Sequence, residues 1–177
     1  MKLTDLLTET TEPDHSAIHK WCRKYNINNY VVGKHSGHVH VMGNVNLSGA
    51  KLISIDIQFG TIEGDFDCSY NKLTSLKGAP KVVEGNFDCS HNELTTLQYS
   101  PSEVDGEYSC VGNQLISLKG APSRIGPKGF FCYENKLTTL EGAPKVVEGN
   151  FSCGQNGTTF HPSDVSRVTK VLGRIFV

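Results

Sequence analysis

The chain orders its apolar and polar residues in a phrase that returns every 21 or 22 residues. Four renderings read FDCSYNKLTSLKGAPKVVEG from Phe66, FDCSHNELTTLQYSPSEVDG from Phe87, YSCVGNQLISLKGAPSRIG from Tyr108 and FFCYENKLTTLEGAPKVVEG from Phe130. Cys68, Cys89, Cys110, Cys132 and Cys153 mark the phrase at spacings of 21, 21, 22 and 21. A fixed period in this range predicts a solenoid, whose coils bury their apolar faces against one another. The register extends upstream. Gly43, Val45, Leu47, Leu52, Ile55, Phe59 and Ile62 stand 21 residues before Gly64, Phe66, Cys68, Leu73, Leu76, Pro80 and Val83. That is a degenerate first coil, with Leu47 in the cysteine place and Ala50 in the asparagine place. Six coils are expected, starting near residues 43, 64, 85, 106, 128 and 149. The last is truncated, since Thr158 and His161 replace its leucines. The one break in period is a single-residue insertion in SRIGPKGFF, just ahead of Lys128.

The pattern F-x-C-x-x-N-x-L-x-x-L is that of a leucine-rich repeat with an aromatic residue and a cysteine in the strand positions. Phe87 and Cys89 are two apart, so both point to one face of a short strand. Asn71, Asn92, Asn113, Asn135 and Asn156 share the strand exit, where an asparagine ladder can satisfy backbone groups of neighbouring coils. The leucines fold back beneath the strand. Pro80, Pro101, Pro122 and Pro144 then favour an extended return over a helix, and Val83, Val104, Ile125 and Val147 close the core. The expected fold is a leucine-rich-repeat solenoid with six short parallel strands on the concave side and extended convex returns.

The ends read differently, giving a division into an N-terminal cap (1–42), the solenoid (43–161) and a C-terminal cap (162–177). From Pro13 to Tyr25, the residues Ala17, Ile18, Trp21, Cys22 and Tyr25 recur at helical spacing, with Asp14 or Ser16 as cap. Residues 1–12, with Leu3, Leu6 and Leu7, read as a helix turn or an arm. Tyr30 to Val32, then GKHSG, then His38 to Met42 read as a hairpin. Helix and hairpin should cover the first coil, with Trp21 in the cap. Ser163 to Val171 reads as a short helix and Arg174 to Val177 as a last strand sealing the other end.

Composition narrows the function. The chain has 177 residues and a formal net charge of -1, which argues against a general nucleic-acid binder. It has no run of 18 apolar residues and so no membrane-spanning helix. MKLTDLLTETTEPDH lacks the apolar run of a secretory signal. The five repeat cysteines occupy equivalent core positions, where side chains stacked in parallel give poor disulfide geometry. Free thiols fit a reducing cytoplasm, and a linear ladder does not surround a tetrahedral zinc ion.

Candidate chemistry is sparse. His38 and His40 share a strand face near His35, but without further ligands. His15 and His19 sit one helical turn apart with no metal-site motif around them. Asp65 and Asp67 imitate a glycosidase acid pair but belong to the repeated strand, with no pocket beside them. No phosphate loop or nucleophile elbow occurs. The expectation is therefore no enzymatic activity, no cofactor and no metal.

Alternation does single out one surface. The residues between Phe and Cys in successive coils are Asn46, Asp67, Asp88, Ser109, Phe131 and Ser152. Those after the cysteine place are Ser48, Ser69, Ser90, Val111, Tyr133 and Gly154, followed by Gly49, Tyr70, His91, Gly112, Glu134 and Gln155. Most are small or acidic, as on a solvated sheet. Val111, Phe131 and Tyr133 are not, and together they suggest a contact patch. Tyr70, His91 and Glu134 lie beside it, with Asp67, Asp88 and Glu107 on its rim. The lysines fall mainly on the return side, so a partner with a basic or amide-rich surface suits this face.

GNFDCSHNELTTL and LKGAPKVVEGNFDCS, together with KWCRKYNINNYVV and VLGRIFV, resemble leucine-rich-repeat proteins encoded by tailed bacteriophages. The likeness spans about residues 15–177. The short coil with its proline return is also similar to the leucine-rich effectors of enteric pathogens, whose additional domains do not fit in this length. The phage resemblance, together with the regular, motif-free surface, suggests an accessory protein acting in the host cytoplasm that binds and neutralises a host defence or regulatory protein, and the caps at both ends suggest a monomer when unbound. The alternatives are a virion or assembly accessory protein and a carbohydrate-active enzyme.

Overall fold

A computed structural model of the chain describes residues 14–177. The expectation for residues 1–12 lies outside the described residues. The rest is a leucine-rich-repeat-like parallel β-solenoid of about seven turns, with two sheets along its length.

The first sheet has seven strands, one from each coil: β3 (Val45–Asn46), β5 (Phe66–Asp67), β7 (Phe87–Asp88), β9 (Glu107–Ser109), β11 (Gly129–Phe131), β13 (Phe151–Ser152) and β15 (Ile175–Phe176). All are parallel and in register, so Phe66 lies beside Phe87, Phe87 beside Tyr108, and Tyr108 beside Phe130. The second sheet was not expected. It consists of β1 (Tyr30–Val32), β2 (Val39–Val41), β4 (Phe59–Ile62), β6 (Val82–Val83), β8 (Glu103–Val104), β10 (Arg124–Ile125), β12 (Val146–Val147) and β14 (Lys170–Val171). The returns are extended, as their prolines predict. After each proline, however, a two-residue strand ending in valine or isoleucine finds its equivalent one coil away and pairs with it, for example Val82 with Glu103 and Val83 with Val104. The pairing satisfies backbone groups that an irregular return would leave exposed.

Inward side chains form columns. Phe59, Phe66, Phe87, Tyr108, Phe130 and Phe151 are fully buried, with successive ring centroids 5.1 to 5.7 Å apart. The five repeat cysteines are free, buried thiols. Burial pushes the Cys68, Cys89, Cys110 and Cys132 thiols well up, and that of Cys153 to about 11.

The expected asparagine ladder is present. Asn113 Nδ2 donates to the carbonyls of Cys89 at 3.0 Å, Cys110 at 3.2 Å and Val111 at 3.3 Å, while its Oδ1 accepts the Leu94 N–H at 3.0 Å. Asn71, Asn92, Asn135 and Asn156 repeat the same pattern. A second ladder has no counterpart in the sequence reading. Asn44 Oδ1 accepts the Asp65 N–H, Asp65 Oδ1 that of Asn86, and Asn86 Oδ1 that of Glu107, at 2.7 to 2.9 Å.

At the N-terminal end, α1 (Ser16–Lys24) and the antiparallel β1–β2 hairpin cover the stack as predicted. The N-cap is His15 rather than Asp14 or Ser16, and among the described residues no side chain caps the helix; Asp14, one residue earlier, accepts the Ser16 N–H at 2.8 Å. Trp21 is 9% exposed, and its ring sits edge-on to Phe59 at 6.0 Å.

The C-terminal end departs from expectation in three ways. The helix α2 (Pro162–Val168) is shorter than predicted, because Val171 belongs to β14. It replaces the return of the sixth coil, with Phe160 and Val165 buried where leucines would be. The last strand ends the stack, as expected, but as a regular rung of the first sheet. It pairs in parallel with β13, Ile175 beside Phe151 and Phe176 beside Ser152, and so adds a seventh coil to the six predicted.

Candidate binding face

The outer face of the first sheet carries the outward columns. Its N-terminal half is polar. Asp67 Oδ1 accepts the Ser69 N–H at 2.9 Å and hydroxyl at 2.6 Å, and Asp88 Oδ1 accepts the Ser90 N–H at 2.8 Å. Asn46 makes the same contact to Ser48. These residues therefore shape the strand exit. Asp65, the other half of the imitation acid pair, holds the second ladder. Two acids engaged with backbone amides do not form a general acid–base pair aimed at a substrate.

Past the cysteine each coil turns through a left-handed residue. Gly49 and Gly112 hold that place at φ +64°, but so do Tyr70 at +53°, His91 at +51°, Glu134 at +56° and Gln155 at +51°. This conformation costs a residue with a side chain about 1–2 kcal/mol. Tyr70 is 63% exposed, and its ring stacks on His91 at 4.5 Å. The His91 ring in turn lies over Gly112, where a Cβ would meet its Nδ1 at 2.5 Å. A histidine on the open face thus depends on a glycine in the next coil.

The C-terminal half is apolar. Phe131 and Tyr133 are half-buried and Glu134 is exposed, all outward as predicted. Val111 is a correction. It lies on the outer side but is only 5% exposed, so it supports the patch from below rather than presenting itself. The sequence reading missed Phe176. It occupies the same outward column as Phe131 and Ser152 and is 48% exposed. The signal was available: GRIFV at 173–177 matches GNFSC at 149–153, but α2 stretches the offset to 24 residues and hides it.

Between these aromatic residues the coil carries Ser152 and Gly154. The result is a hollow of about 250 Å³ lined by Tyr133, Ser152, Gly154, Gln155, Phe176 and Val177. Its volume suits one apolar side chain, and Tyr133, Phe176 and Val177 supply its apolar lining.

Glu107 occupies a place of its own. It stands in the second ladder, yet no amide reaches its carboxylate. The insertion at Gly126–Lys128 turns the next amide, Gly129 N–H, back to the Gly126 carbonyl at 3.3 Å. The free, half-buried carboxyl is held above the usual carboxylate range by burial first, then by Asp88 and Asp65, with Lys128 in partial opposition.

The remaining candidates are placed elsewhere. His40 Nδ1 accepts the Thr61 N–H at 3.2 Å, and its ring lies over Gly60. His19 Nδ1 is 2.7 Å from the Tyr30 hydroxyl. The His38 imidazole is held below its ordinary range by burial and Lys81. Among the described residues, no three His, Cys, Asp or Glu side chains converge as metal ligands, and no helix is long and apolar enough to cross a membrane. A larger open cleft of about 560 Å³ lies on the return side, lined by Ile53, Ser54, Asp56, Ile57, Gln58 and Lys77 among others, and in it the Ser54 hydroxyl donates to the Asp56 carboxylate.

Comparison with family models, with curated proteins and with solved structures finds no match to this chain.

Proposed function

We propose that this protein is a non-catalytic protein-binding module and that the outer face of its first sheet is the contact surface. The observation that carries the reading is the hollow between Tyr133 and Phe176, with Phe131 in the adjoining coil. Large outward aromatic residues around small ones give a site for a partner's side chain, and aromatic anchors supply much of the energy in such contacts. The solenoid holds them rigidly, so little ordering accompanies binding. On the strength of the sequence resemblance alone, the partner we propose is a bacterial host protein that is neutralised by being covered.

The test uses the purified protein as bait in a bacterial lysate, beside Phe131→Ala and Phe176→Ser variants with unchanged melting temperature. A protein bound by the wild type and weakened by about 2 kcal/mol in Phe131→Ala, the usual hot-spot threshold, supports the reading. Partners held equally by all three proteins refute it. Abundant copies in purified virions would favour the assembly alternative.

A further inference from the structure

Building on that reading, we infer the partner's recognition element: an extended segment lying across the strands that seats one apolar side chain in the hollow and an arginine or lysine against Asp88 and Glu107. If the hollow is not a binding site, this inference fails with it.

The first argument is distance. Ser152 floors the hollow, and Asp88 stands in the same outward column three coils earlier, through Ser109 and Phe131. Neighbouring strands are about 4.8 Å apart, so the two points are separated by roughly 14 Å, which about four residues of extended chain span. The side chains between them are the half-buried Phe131 and the buried Ser109. An extended segment thus crosses the outward Phe131 ring on the way and can pack against it.

The second argument is charge. Asp88 uses Oδ1 on the Ser90 amide, leaving its other oxygen to the surface. Glu107 makes no hydrogen bond or ion pair among the described residues, because the insertion removed the amide that its ladder place would have served. Its half-burial raises its pKa most, Asp88 and Asp65 raise it further, and Lys128 opposes them in part. A cation brought to this point gains two carboxylates at once and relieves their mutual repulsion. The segment is therefore basic, and its charge lies about three to four extended residues from its apolar anchor.

The experiment selects a displayed library of random 12-residue peptides on the full-length protein, in parallel with selections on Phe176→Ser and on the double variant Asp88→Asn/Glu107→Gln. Asn46 already makes the Asp88 turn contact in the first coil, so the double variant retains the turn. The expected result is enrichment of an apolar residue followed or preceded, three to five positions away, by Arg or Lys. A representative synthetic peptide should bind roughly tenfold more weakly to the double variant at low ionic strength, with the difference shrinking as salt screens the pair. Peptides with an apolar anchor lost on Phe176→Ser, but with no basic position, overturn this inference and leave the binding-face reading standing. Peptides indifferent to Phe176→Ser, or no enrichment at all, overturn both.

Discussion

The Tyr108 hydroxyl lies 2.7 Å from the Ser100 hydroxyl, and each residue departs from the repeat in a way that requires the other. The second, third, fifth and sixth coils place phenylalanine where Tyr108 stands, and Ala79, Ala121 and Ala143 stand where Ser100 does. Tyr108 is fully buried, so its hydroxyl needs a partner inside the protein. Ser100→Ala should cost about 1–3 kcal/mol by stranding that hydroxyl. Adding Tyr108→Phe should recover most of the loss, since the pair then reads as in the other coils. Urea unfolding of both singles and the double variant measures the coupling, and strictly additive losses would show that the contact carries nothing.

The same coil breaks the repeat once more. Tyr99 adopts φ +69° in a place held elsewhere by Gly78 at +94°, Gly120 at +96° and Gly142 at +84°. Its side chain is 62% exposed and is not part of the apolar core. Tyr99→Gly should stabilise the protein by up to about 1 kcal/mol, the left-handed cost less glycine's extra freedom when unfolded. Gly78→Ala should destabilise it, because the new Cβ would lie against the Ile55 and Ile57 carbonyls. Thermal melts of the two variants should shift in opposite directions.

Removing one rung of the asparagine ladder should be among the most damaging polar changes. Asn113→Ala leaves the Leu94 amide without its acceptor, while the carbonyls of Cys89, Cys110 and Val111 each lose one donor and keep another, from Asn92, Asn135 and the His91 amide. At about 1–3 kcal/mol for the stranded amide and about 0.5–1.5 kcal/mol for each of the lost bonds to the carbonyls, the loss should be about 3 kcal/mol or more. That is comparable to the cavity left by Phe87→Ala, roughly 3–5 kcal/mol. Hydrogen exchange should locate the damage, with protection lost first in the third and fourth coils. Uniform loss along the stack would contradict a nearest-neighbour ladder.

Glu107 predicts the pH dependence of stability. Its folded pKa is raised, so the folded state binds this proton more tightly than the unfolded chain does. Its contribution is then fully present below the ordinary carboxylate value and is lost as pH rises through the folded value. Glu107→Gln should be more stable than the wild type at neutral pH. That advantage should shrink as pH falls through the raised folded value and be gone below the ordinary carboxylate value. Melting temperatures of both proteins from pH 4 to pH 8 provide the check, and parallel curves would mean the carboxyl is not perturbed.

Which features could be read from the sequence follows from what each one depends on. The coil period, the inward Phe and Cys columns and the Asn71-to-Asn156 ladder depend on residues at one repeated place, so a single chain displays them several times. The second sheet was hidden because Val82–Val83 and its equivalents form strands of two residues, too short for alternation to show. The seventh coil was hidden because α2 lengthens the offset between Ser152 and Phe176. The burial of Val111 and the free carboxylate of Glu107 depend on the neighbouring coils and on the insertion at Gly126–Lys128. The period marks that break without revealing its effect. On the candidate face, outward direction was legible for Phe131, Tyr133 and Glu134, whereas the hollow came from how side-chain sizes alternate between coils.

Because every rung addresses only the coil beside it, the solenoid can act as a caliper. One more 21-residue copy placed between Glu107 and Tyr133 would leave the hollow and the carboxylates each intact. It would move them apart by a single interstrand step, about 4.8 Å. A partner of fixed size would then be gripped at one jaw or the other, never both. Coil number would thus determine which partners fit, independently of any side chain on the face.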